Sequence, residues 1–277
     1  MKTLRQAYGT SSHPGGHALA GAGPLLLGLT LLATPVGAAP PVTFQHSEFD
    51  ALLHRHVRAG RVDYDAFAHS PRFEHYLESL ATFDPEQLGE RDRLAFWINA
   101  YNAYTIHLIN VKGERESIRN INKTLGLLKL DGPWKEPIAQ VEKRSHTLDE
   151  IEHEIIRKRF HEPRVHFALV CGALGCPELR SEAYSGGRLE AQLAAQARVF
   201  VLESPAKNRV DVAARVVYVS PIFDWFKDDF GGSDAAIGRY LAGLLPEGPE
   251  RRLLLEGDFD LRTTAYDWNL NAQRQAR

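Results

Sequence analysis

Most apolar positions in this chain recur at the 3.6-residue spacing of helices packed on one face. Residues 47–59 place Phe49, Leu52, Leu53 and Val57 on one side, which predicts a helix. A second short helix is predicted over 72–81. The strongest signal is 86–111, where Leu94, Trp97, Ile98, Tyr101, Thr105, Leu108 and Ile109 follow the period. Phe96, Ala100 and Ala103 make its opposite side apolar as well, and a helix apolar nearly all round is a buried one. Lys112 and Gly113 close it with a cation and then a flexible residue. Residues 114–129 predict a helix followed by a loop, and Gly132-Pro133-Trp134 breaks the chain. Residues 147–160 predict a helix with Leu148, Ile151, Ile155 and Ile156 inside, and Thr147 with Glu150 has capping-box spacing. Two more helices are predicted, over 189–202 and from Ser233 or Asp234 to Leu245.

Strand signals are fewer and shorter. Residues 135–141 and 258–270 predict single strands, and 209–220 predicts a hairpin, with Val210 and Val212 answered by Val216 and Tyr218. The apolar run 164–171 between Pro163 and Gly172 reads as a buried strand. Residues 223–230 predict a short helix stopped by Gly231-Gly232. Helices and strands interleave without a strict βαβ rhythm, so the expected class is α+β: one helix-rich domain around a small mixed or antiparallel sheet. Its main body is expected over 86–271, with a helical segment 39–85 packed on it and a tail at 272–277.

The start of the chain has a different pattern. Lys2 and Arg5 are the only charged side chains in the first 45 residues, taking histidine as neutral. An apolar core at 25–32 and small residues at 36–39 follow. Charged start, apolar core and small-residue exit predict a signal peptide over 1–38 and a periplasmic or secreted protein. If the leader stays uncleaved, residues 18–41 are free of charge and long enough to anchor the chain in a membrane. The 277 residues carry 33 Lys+Arg against 35 Asp+Glu, a net charge of −2, which argues against nucleic acid as a partner. The expected partner is a small molecule or a peptide, and no cofactor or metal is expected.

Export changes what the two cysteines mean, because an oxidising compartment preserves disulfides. Cys171 and Cys176 lie in the loop Cys171-Gly172-Ala173-Leu174-Gly175-Cys176-Pro177, at the end of the expected strand. They can form a disulfide, or Cys171 can be a nucleophile activated by a base. A metal site with His153 or His166 is a third reading, although the spacing is not a standard zinc pattern. Every histidine precedes Cys171, so a Cys-then-His catalytic order is excluded and a His-then-Cys order stays open. On an extended strand His166 and Cys171 would lie about 16 Å apart and on opposite faces, which favours His153 as the base. Glu152, adjacent to His153 on a helix, is not placed to orient it.

Asn99 and Asn102 share one helix face. They are read either as a structural network or as groups that orient a histidine or donate to an oxyanion. The cluster at 223–230 puts Asp224 and Asp228 at i, i+4, to bind a cation or an amine or to be a solvated face. The cluster Tyr266-Asp267-Trp268-Asn269-Leu270-Asn271 can line a pocket or plug the core.

Four stretches taken together resemble the domain-of-unknown-function family numbered 547. They are Phe96-Trp97-Ile98-Asn99-Ala100-Tyr101-Asn102-Ala103, Leu148-Asp149-Glu150-Ile151-Glu152-His153, Arg164 to Cys171 with Gly175-Cys176-Pro177, and Tyr266 to Asn271. The resemblance implies that Asn99, Asn102, Glu152, His153, His166, Cys171 and Cys176 occupy shared motif positions, and it brings no activity with it. Gly175 stands where many relatives are expected to carry Ser. The expected function is either a cysteine-dependent hydrolase or acyltransferase, with Cys171 as nucleophile, or a non-catalytic ligand-binding or scaffold domain stapled by Cys171–Cys176.

Overall fold

The long helix runs Glu90–Val111, and from Leu94 to Ile106 every side chain on it is buried. It is the axis of the larger of two hydrophobic clusters, as its all-round apolar surface requires. The computed structural model describes residues 42–121 and 132–273. The expected signal peptide, and residues 122–129 of the stretch 114–129 expected as a helix followed by a loop, lie outside the described residues. What is described of that stretch contains one 3-10 turn, Ile118–Asn120. No helix among the described residues is long and apolar enough to cross a membrane.

Around the long helix pack Ser47–His56, Tyr64–Ala68 and Pro71–Thr82. Asp63 and Ser70 cap the last two through their side chains, each accepting a backbone N–H three residues on. The first helix ends earlier than its pattern predicts, because residues 57–62 form a tight hairpin with Ala59 and Gly60 at positive φ. A second hairpin pairs Ala139–Val141 with Arg144–His146, turning through Glu142 and Lys143 at positive φ.

The smaller cluster gathers Phe167, Phe200, Phe223 and Phe230. Packed with it are Leu189–Leu202, Asp234–Ala242, Pro249–Glu256 and a three-stranded sheet. In that sheet Val216–Val219 pairs antiparallel with Arg209–Asp211 and parallel with Asp260–Thr263. The class is α+β.

Two local readings are corrected. Residues 164–171 are not a strand: Pro163–Phe167 is a 3-10 helix and irregular chain follows. Pro163 sits in its first turn, and the Glu162 carboxylate accepts the Arg164 amide, both of which start helices rather than strands. Residues 223–230 form not one helix but two short turns, Ile222–Trp225 and Lys227–Phe230, broken at Phe226.

Candidate functional site

The two clusters meet along a seam, and a cavity of about 260 Å³ opens there. Tyr101 and Leu169 reach it from the larger cluster, and Ile222 and Phe226 from the smaller. The loop from Cys171 to Pro177 forms one wall.

Three elements supply its polar groups. The capping box forms as the spacing predicts: Thr147 Oγ1 accepts the Glu150 amide at 2.9 Å and the Glu150 carboxylate accepts the Thr147 amide at 2.9 Å. Beyond it, Glu150–Arg157 is a π-helix rather than an α-helix, a widened turn of the kind often found at functional sites. Asp149, Glu152 and His153 line the cavity from this segment. His166 comes from the 3-10 helix, and Tyr101 from the long helix.

Glu152 contacts Tyr101 and not His153: the Tyr101 hydroxyl donates to Oε2 at 3.3 Å. Burial pushes the Glu152 carboxyl up to about 7, against the pull of Tyr101 and Arg157. His166 is deeper, its side chain 1% exposed. Its Nε2–H donates to Asp229 at 2.6 Å, its ring stacks on Phe226 at 3.8 Å, and burial pulls it down to about 4. That hydrogen bond fixes the tautomer, so Nδ1 carries a lone pair and no hydrogen. Nδ1 is buried, has no hydrogen-bond partner, and lies 3.8 Å from Glu152 Oε1. Arg157 grips Asp229 through Nε at 2.6 Å and Nη2 at 2.9 Å, which holds the Asp229 carboxyl down at about 2.

His153, the base favoured by the strand argument, is half-buried and engaged on both sides. Its Nδ1 accepts from Arg157 Nη1 at 3.0 Å, and its Nε2 lies 3.6 Å from Asp149. Burial lowers its pKa. With no strand at 164–171, the distance and opposite-face argument against His166 lapses, and His166 and Cys171 line the same cavity.

Cys171 and Cys176 are joined in a disulfide. In that state neither sulfur is a thiolate, so the nucleophile and metal-ligand readings of Cys171 both require prior reduction. The Tyr266 hydroxyl lies 3.1 Å from Cys176 Sγ and 3.4 Å from Cys171 Sγ. Gly175 makes that approach possible: a Cβ there would sit 2.8 Å from the Tyr266 ring. Trp134, Trp225 and Trp268 complete the wall, with Trp225 stacked on Trp268 at 5.8 Å. The terminal aromatic cluster thus lines the pocket while also packing on the core.

The two amides of the long helix are placed elsewhere. Asn99 Nδ2 donates to the Tyr184 carbonyl at 2.8 Å, and its Oδ1 accepts the Tyr184 amide at 2.9 Å. Asn102 does the same for the Ala168 carbonyl and the Val170 amide, both at 2.9 Å. They clamp backbone instead of orienting a histidine or facing an oxyanion, which corrects the catalytic reading of both. Asn102 nonetheless holds the irregular chain between His166 and Cys171. Asp224 and Asp228 are exposed, as a solvated face would be. The acid that matters is Asp229, which sequence reasoning missed; its neighbour Asp228 looks the same in sequence, and only the fold shows which one turns inward.

Residues 85–201 match the family model described as "Protein of unknown function, DUF547". No curated protein and no solved structure matches the chain. The match takes in the long helix, the π-helix, His166 and the disulfide loop. Asp229 and the aromatic wall at 225–226 and 266–268 lie beyond it.

Proposed function

We propose, on the premise that residues 85–201 belong to the DUF547 family, that this chain is an exported binding module for a small organic ligand. The seam cavity is the binding site, and Cys171–Cys176 staples its wall. The observation that carries this reading is the His166 imidazole: fully buried at the cavity, held by Asp229 on one nitrogen, and unpartnered on the other. A buried polar atom without a partner costs free energy, and a ligand that satisfies it recovers that cost. Aromatic walls with a few convergent polar groups are the usual make-up of small-molecule sites, and about 260 Å³ suits a small ligand. The leader pattern and the disulfide support export. Nucleic acid is not among the proposed partners.

The test is tryptophan fluorescence against a panel of small organic compounds. The reading expects saturable changes that weaken in Trp225→Ala, a residue 48% exposed whose loss spares the core. A panel without a single saturable change contradicts it.

A cysteine hydrolase or acyltransferase is the second reading, and one observation favours it. Cys171, only partly buried, shares a cavity with His166, whose ring Asp229 orients. Reduced Cys171 would be the nucleophile and His166 the base. Iodoacetamide labelling of native, unreduced protein separates the two: no labelling supports the staple, and rapid labelling of Cys171 supports the enzyme.

A further inference from the structure

We infer that the cavity is built for an organic amine in its protonated form, with the ammonium N–H groups directed at Glu152 and His166 Nδ1. This rests on the binding reading above and names its ligand class. Three observations carry it. Glu152 Oε1 and His166 Nδ1 face each other at 3.8 Å, and once Glu152 is ionised both are acceptors with nothing between them to donate. An ammonium group supplies donors to both and a charge to neutralise one. The wall around them is aromatic: Phe226 and Trp268 already have Arg157 and Arg119 over their rings at 5.0 and 5.1 Å, and Tyr101, Trp134, Trp225 and Tyr266 are the further rings a cation can lie against. The charged side chains among the described residues lining the cavity are the acids Asp149 and Glu152, and the arginine behind that wall, Arg157, is already held by Asp229 through two hydrogen bonds.

The groups around Glu152 set the pH dependence. Tyr101 donates to it, Arg157 favours its charged form, Asp149 and Asp229 oppose that form, and burial outweighs all of them. His166 and His153 are neutral at pH 7, their pKa values lowered by burial. Tyr266 is also neutral, its pKa raised by burial. In the empty cavity near neutral pH, Glu152 therefore holds a proton for much of the time, and the arriving ammonium displaces it. Amine binding releases protons and strengthens as pH rises through 7, until the amine itself loses its charge.

Benzylamine and its neutral isostere benzyl alcohol test this, with tetramethylammonium as a cation lacking N–H. Binding is read by tryptophan fluorescence and by calorimetry in two buffers of different ionisation enthalpy. The expected result is that benzylammonium binds about tenfold or more tighter than the alcohol, and tighter than tetramethylammonium, with proton release at pH 7. Glu152→Gln abolishes that preference and the proton release. Should that variant fail to fold, Trp225→Ala still tests the wall and is expected to weaken benzylammonium. Equal or tighter binding of the alcohol, or no proton release, overturns the amine assignment and leaves the binding module standing. No saturable signal from any of the three probes overturns the amine assignment; whether the binding module falls with it is then decided by the wider panel above.

Discussion

Two sets of buried polar side chains lie close together here and differ in one respect. Asn99 and Asn102 each have their carbonyl oxygen and amide nitrogen paired with backbone. Glu152 has one long hydrogen bond, and His166 has a bare nitrogen. What separates the brace from the site is satisfaction at the cavity: the brace is fully paired, whereas the unpaired His166 nitrogen and the 14% exposed Glu152 side chain belong to cavity-lining residues. The brace lowers the free energy of the fold by pairing groups that would otherwise be stranded. The floor of the cavity raises it, and that cost is recovered only when something binds.

The largest expected effect falls on the brace. Asn102→Ala strands the Ala168 carbonyl and the Val170 amide, each costing about 1–3 kcal/mol, so urea unfolding should show a lower midpoint. A loss below about 1 kcal/mol would mean that water or neighbouring groups replace the amide.

Glu152→Gln should do the opposite at alkaline pH. The Glu152 carboxyl is raised from 4.5 to about 7, so the folded state holds its proton more tightly than the unfolded state. Its contribution is fully present below 4.5 and falls away as pH rises to about 7, a change of about 3 kcal/mol. His166, lowered from 6.5 to about 4, has the reverse slope: its contribution is present above 6.5 and lost as pH falls towards 4. The difference between wild type and Glu152→Gln isolates the Glu152 part. The variant should become the relatively more stable of the two as pH climbs from 5 to 8.

Opening the disulfide with reductant should cost about 2 kcal/mol, since it closes a loop of only a few residues. It should weaken ligand binding as well, because both cysteines line the cavity. Thr147→Ala should have the smallest effect, about 1 kcal/mol from the lost cap, measured by thermal unfolding.

Much of the brace was readable in the sequence and little of the cavity floor was. The long helix and Leu189–Leu202 carry unbroken apolar periods, and the Thr147–Glu150 box has its own signature. The run at 164–171 is apolar without a period, and such runs do not separate a strand from irregular buried chain. That one misreading set His166 apart from Cys171 and promoted His153. Two further features are tertiary: the approach of Asp229 to His166 across 63 positions, and the seating of Tyr266 over Gly175. The disulfide was legible as an alternative, because the leader pattern and the close spacing of the only two cysteines both point to it.

Central to this account is that Glu152 sits in a desolvated floor kept for a ligand. The direct measurement is the carboxyl carbon shift of Glu152 followed by NMR against pH, assigned with Glu152→Gln. The account predicts a midpoint near 7 in the free protein, moved down by benzylammonium. A midpoint near 4.5, unmoved by benzylammonium, would contradict it.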